Sequence, residues 1–62
     1  MNIQMFQIDN STKFNVVDGE IFGVGGSGKF VTELYAAVTA INSDSAISSV
    51  ITNSGFEIKR IK

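Results

Sequence analysis

In 62 residues the sequence has no cysteine, no histidine, no proline and no tryptophan. Without cysteine there is no disulfide framework, and without cysteine and histidine together a structural zinc loses its usual ligands. The serine and threonine hydroxyls have no imidazole to activate them, so a Ser-His-Asp arrangement is excluded. No apolar run approaches the ~20 residues that span a bilayer. The first residues, polar-interrupted, lack the charged start and apolar core of a signal peptide. Charge of one sign is missing too: five basic and six acidic residues give a net charge of −1, which leaves no field to gather nucleic acid or an anionic membrane. The one local excess, Lys59, Arg60 and Lys62, reads as a solvated end rather than a basic stripe over a face. These absences predict a cytoplasmic protein that is not an enzyme, needs no cofactor or metal, and has neither nucleic acid nor membrane as partner.

The chain is long enough for one domain over 1–62, and a domain of this size buries only about 60% of the surface its unfolded chain exposes. Small scaffolds offset that thin margin with disulfides, a metal or self-association. With the first two missing, the expectation is a homo-oligomer.

The strongest local pattern is GVGGSGK over 23–29, a glycine-rich loop between a strand-like and a helix-like run. It matches a Walker A phosphate loop until Phe30 stands where a magnesium-binding hydroxyl is required. Nucleotide hydrolysis is therefore not expected. Simple anion binding by Gly26, Ser27, Gly28 and Lys29 remains a candidate, since backbone N–H groups at a helix start and a lysine favour negative charge. The alternative is packing, in which the glycines turn strand into helix and Ser27 caps it.

Around this loop the periodicity changes. Residues 2–8 alternate as a strand, with Ile3 and Met5 opposing Phe6 and Ile8. Residues 9–12 form a turn cluster, 13–17 a second strand, Asp18 and Gly19 a tight hairpin turn, and 20–24 a third strand. From 29 to 41, Phe30, Leu34, Val38 and Ile41 recur at helical spacing. Residues 44–51 read as a shorter helix, although Val50, Ile51 and Thr52 also suit a strand. Gly55 supplies a left-handed break before a closing strand over 56–61. The expected fold is α+β in the order βββααβ: an antiparallel sheet of a three-strand meander plus a C-terminal strand, with two helices on one face.

Both faces of the strands carry apolar residues, which one helical layer cannot cover. We expect Phe6, Ile8, Val17 and Phe22 to form an interaction face for a second copy and for another protein. The phenylalanines and Tyr35 otherwise read as core, since base stacking needs interleaved basic residues that Lys13 alone does not supply. Asp9, Asp18, Glu20 and Glu33 lie where solvated carboxylates are ordinary, and 9–11 and 42–44 are too short for a twelve-residue calcium loop.

The stretch 3–38, three strands running into GVGGSG and an alanine-rich helix, together with a short helix over 46–52, the turn at 53–55 and the strand over 56–59, resembles the C-terminal half of the proteasome-type N-terminal nucleophile hydrolases. The resemblance implies one half of their αββα architecture, two facing sheets between helical layers. It does not imply their activity, because the nucleophile, whose own α-amino group serves as base, and the lysine and aspartate that tune it belong to the other half. Only the region of Ser27 carries over, in a supporting role. Combined with a composition rich in Ile, Asn, Ser and Lys, compatible with an A/T-rich bacteriophage or bacterium, the expectation is a small inhibitor or accessory factor of a host protein. The alternatives are an anion- or nucleotide-binding module built on 25–29, and one subunit of a split hydrolase.

Overall fold

The computed structural model describes residues 2–62. Two tight turns set up its first half. Asp9 and Asn10 have φ of 50° and 64°, and the Ser11 N–H donates to the Ile8 carbonyl at 3.0 Å; Asp18 and Gly19 repeat the pair of positive φ values at 50° and 87°. Paired positive φ is what a type I′ turn requires, and Asn, Asp and Gly are the residues that tolerate it. The result is the expected meander: β1 (Ile3–Ile8), β2 (Thr12–Val17) and β3 (Glu20–Phe22). The helix α1 (Gly28–Ser43) follows, and then β4 (Ser49–Ile51) and β5 (Glu57–Arg60).

The five strands make one sheet in the order β3-β2-β1-β5-β4, and its four neighbouring pairs are antiparallel. Helix α1 therefore carries the chain from one edge of the sheet to the other. Its buried side, Leu34, Ala37, Val38 and Ile41, lies on a core that Phe6, Ile8, Phe14, Val16 and Ile58 supply from the sheet. Phe6 and Phe14 face each other across β1 and β2 with their rings stacked at 5.5 Å, worth about 0.5–1.5 kcal/mol beyond their burial.

The expected second helix over 44–51 does not form, and the order is βββαββ rather than βββααβ. Asp44 ends α1 in an extended conformation, and its carboxylate accepts from the Ala46 N–H at 2.9 Å while its carbonyl accepts from Ile47 at 3.0 Å. That side chain offers the backbone a turn in place of a new helix. The β-branched Val50 and Ile51 then pair with Ile58 and Glu57 in a hairpin closed through Gly55, whose φ is 93°. One helix thus covers one face, so the two-helix half of an αββα sandwich is not what this chain builds.

Candidate functional site

The loop 23–28 is organised around Phe30. A Cβ on Gly26 would lie 2.6 Å from the Phe30 ring, and that ring packs edge-on against Phe56 at 5.3 Å. Gly23, just past β3, has φ of 91°, in the left-handed region that glycine tolerates. Ser27 is the N-cap: its Oγ accepts from the Phe30 N–H at 3.2 Å and its carbonyl from the Val31 N–H at 3.0 Å. The four candidate anion ligands do sit together at the helix start, with Lys29 exposed in the first turn. Their geometry is that of a strand-to-helix joint, in which Gly26 makes room for an aromatic ring and Ser27 satisfies the helix.

At the far side of the helix, Glu33 holds the β4–β5 turn. Its carboxylate accepts from the Ser54 N–H at 2.9 Å and from the Ser54 hydroxyl at 2.8 Å. These two hydrogen bonds, the side-chain one foremost, pull its pKa below the ordinary glutamate value.

A cleft of about 520 Å³ opens between the C-terminal part of α1 and β1–β2. Its wall includes Gln4 and Asn42, whose amides exchange two hydrogen bonds of 3.0 and 2.9 Å. Tyr35 and Arg60 reach its rim. Among the described residues no buried side-chain N or O lacks a partner. Nor does any group of three His, Cys, Asp or Glu come together to hold a metal.

The remaining feature is the face of the sheet turned away from the helix. Strand alternation and register place on it Ile3, Met5 and Gln7 from β1; Lys13, Asn15 and Val17 from β2; Glu20 and Phe22 from β3; Glu57 and Lys59 from β5; and Ser49 and Ile51 from β4. Ile3, Met5 and Val17 are neighbours there, Phe22 lies diagonal to Val17 with Asn15 between it and Met5, and Ile3 and Phe22 are 59% and 51% exposed. Glu20 borders this apolar patch on one side. On the other lies a row of Lys13, Gln7 and Lys59 across three strands.

The structure splits the four residues expected on the interaction face between the two sides of the sheet. Val17 and Phe22 are on the outer face, but Phe6 and Ile8 lie beneath the helix, 0% and 6% exposed. The reason is register. A four-residue turn over 9–12 would set Phe6 opposite Asn15 and put Phe6, Ile8, Val17 and Phe22 on one face. Thr12 instead pairs with Ile8. This one-residue shift exchanges the faces of β1 and brings Ile3 and Met5 out in place of Phe6 and Ile8. The alternation already showed those two pairs as opposites, and the loop that sets the observed register is three residues long, 9–11.

No protein-family model, no curated protein and no solved structure matches this chain. No helix among the described residues is long and apolar enough to cross a membrane.

Proposed function

We propose that the protein acts by binding another protein through the outer face of its sheet, as an inhibitor or accessory factor rather than as an enzyme. The observation that supports this most is the cluster of Ile3, Met5, Val17 and Phe22 around Asn15, with Ile3 and Phe22 more than half exposed. A scattered surface leucine is ordinary, whereas neighbouring large apolar residues rimmed by polar ones mark an interaction site. The rim defines the partner's chemistry. Lys13 and Lys59 share a row, so the partner presents an apolar centre with carboxylates on the side that meets this row. A second copy laid strand over strand would instead set that row of lysines over itself.

The test is capture from the native cell with three forms of the protein: the parent chain, Ile3→Lys/Phe22→Lys, and Lys13→Glu/Lys59→Glu. A protein retained by the parent chain, lost with the first variant and weakened with the second supports the proposal, provided both variants keep the parent's circular dichroism. Equal retention by folded Ile3→Lys/Phe22→Lys overturns it.

A further inference from the structure

The two edges of the sheet differ in what they leave open. Within β3 the outward N–H belongs to Ile21, because Val17 and Asn15 of β2 take Glu20 and Phe22 as their hydrogen-bonded pairs. That N–H donates to the Tyr35 hydroxyl at 3.1 Å. The helix thereby occupies the one outward N–H of the β3 edge.

The β4 edge has no such cover. The Thr52 N–H bonds the Phe56 carbonyl at 2.8 Å, and the alternation of an antiparallel ladder then gives the inward bonds to Val50 and turns the N–H and C=O of Ser49 and Ile51 outward. β5 agrees, since the Asp9 N–H bonds the Glu57 carbonyl at 3.0 Å, so Glu57 faces β1 and not Ile51. Ile51 is 63% exposed.

We propose that β4 pairs with β4 of a second copy about a two-fold axis through Val50, joining two sheets into one of ten strands. The open groups fit this arrangement. With Val50 opposite its own copy, Ser49 faces Ile51 of the other chain twice, and each of these pairs exchanges two N–H···O=C bonds, four in all. Charge fits as well. Residues near a two-fold axis meet themselves, so any charge there repels its copy, and 45–56 contains no charged residue. Edge strands that stay single are usually guarded by lysine, proline or a covering element; β3 has its cover and β4 has none of these. A groove of about 180 Å³ between Ala36, Ala37 and Val50 lies under this edge and receives the Val50 side chain of the second copy; the one charge on its wall, Glu33, is held by Ser54 of its own chain. The pairing uses neither Ile3 nor Phe22, so it is independent of the outer-face reading and leaves the two outer faces side by side on one surface.

Three variants test it by sedimentation at about 1 mM chain, where even an interface with a Kd of ~1 mM is well populated. Ile51→Pro removes an outward N–H without touching the β4–β5 ladder, and Ile51→Lys keeps the backbone but sets like charges across the axis. Val50→Cys places two thiols on residues whose Cα atoms are ~4.5 Å apart in a non-hydrogen-bonded pair, within the range of a disulfide. The expected result is the mass of two chains for the parent and for Phe22→Lys, the mass of one chain for both Ile51 variants, and a covalent dimer from Val50→Cys on mild oxidation. A parent that sediments as one chain, or a dimer that survives both Ile51 variants, overturns the proposal.

Discussion

The two faces of this sheet are built from the same strands and both carry large apolar residues, yet only one of them is a core. On the helix side Phe6 and Phe14 are 0% and 1% exposed, while on the outer side Phe22 is 51% exposed. The glutamines of β1 repeat the contrast. Gln4 is buried and locked to Asn42 through two amide hydrogen bonds, whereas Gln7 bonds only Asn10 on the surface. Large apolar residues alone do not separate the two faces, since Ile3 and Phe22 lie on the open one; the single helix covers the other, and Lys13, Asn15, Glu20 and Lys59 stand only on the open side. An apolar residue on the covered face contributes to folding, and the same residue on the open face contributes to whatever covers it.

Substitutions that treat the faces alike should therefore give unlike results. The largest difference is expected between Phe14→Ala and Phe22→Ala. Truncating the buried ring costs about 3–5 kcal/mol, comparable to the whole stability of a small domain at roughly 0.05–0.15 kcal/mol per residue. Removing the exposed ring shifts stability by no more than about 0.5 kcal/mol. Urea titrations followed by circular dichroism check both, and equal losses would break the distinction between the faces.

Next comes the joint that seats the helix on its face. Gly26→Ala drives a methyl into the Phe30 ring, 2.6 Å away, and should cost about 1–3 kcal/mol as an overpacked site does. Gly28→Ala meets nothing within 4 Å in the first residue of the helix and should be neutral or stabilise by up to ~1 kcal/mol. If the two alanines behave alike in thermal melts, packing does not explain the loop.

The polar pair sharpens the contrast at similar size. Asn42→Ala leaves the Gln4 amide buried without its partner and should cost about 1–3 kcal/mol, while Gln7→Ala on the open face should stay within ~0.5 kcal/mol.

The smallest effect concerns acid. Glu33 has its folded pKa lowered by hydrogen bonds from Ser54, so the unfolded chain takes up this proton more readily than the folded one. Its stabilising share is present above the ordinary glutamate pKa and fades as pH falls through the lower, folded value. Glu33→Gln should remove that part of the acid dependence, and a carboxyl titration by NMR should place the Glu33 midpoint below that of unfolded glutamate. A midpoint at or above the ordinary value would contradict the hydrogen bonds to Ser54.

Much of the covered face was legible in the sequence. Leu34, Val38 and Ile41 are buried at the helical spacing read there, and Asp18-Gly19 made its hairpin. What the periodicity could not carry was the length of one turn. Counting Thr12 with the turn rather than with β2 moves the register by one residue, and Phe6 and Ile8 change places with Ile3 and Met5. The hairpin of β4 and β5 was obscured for a different reason. A three-residue strand has no periodicity to read, and Ile47, Val50 and Ile51 sit as well on a helical turn as on a strand until Ile58 offers a partner. Tyr35 read as core; it is partly exposed at the rim, with its hydroxyl holding the β3 edge, a role that only the folded crossover of α1 creates.

The outer face as the surface that works, rather than as a leftover, is tested most directly by amide exchange on the parent chain with and without the partner captured as above. Protection that appears on binding at Ile3, Met5, Val17 and Phe22, with the Phe30–Phe56 joint unchanged, is the predicted result. Protection confined to 25–31, with the sheet's outer residues unaltered, would contradict the account and return the function to the glycine loop.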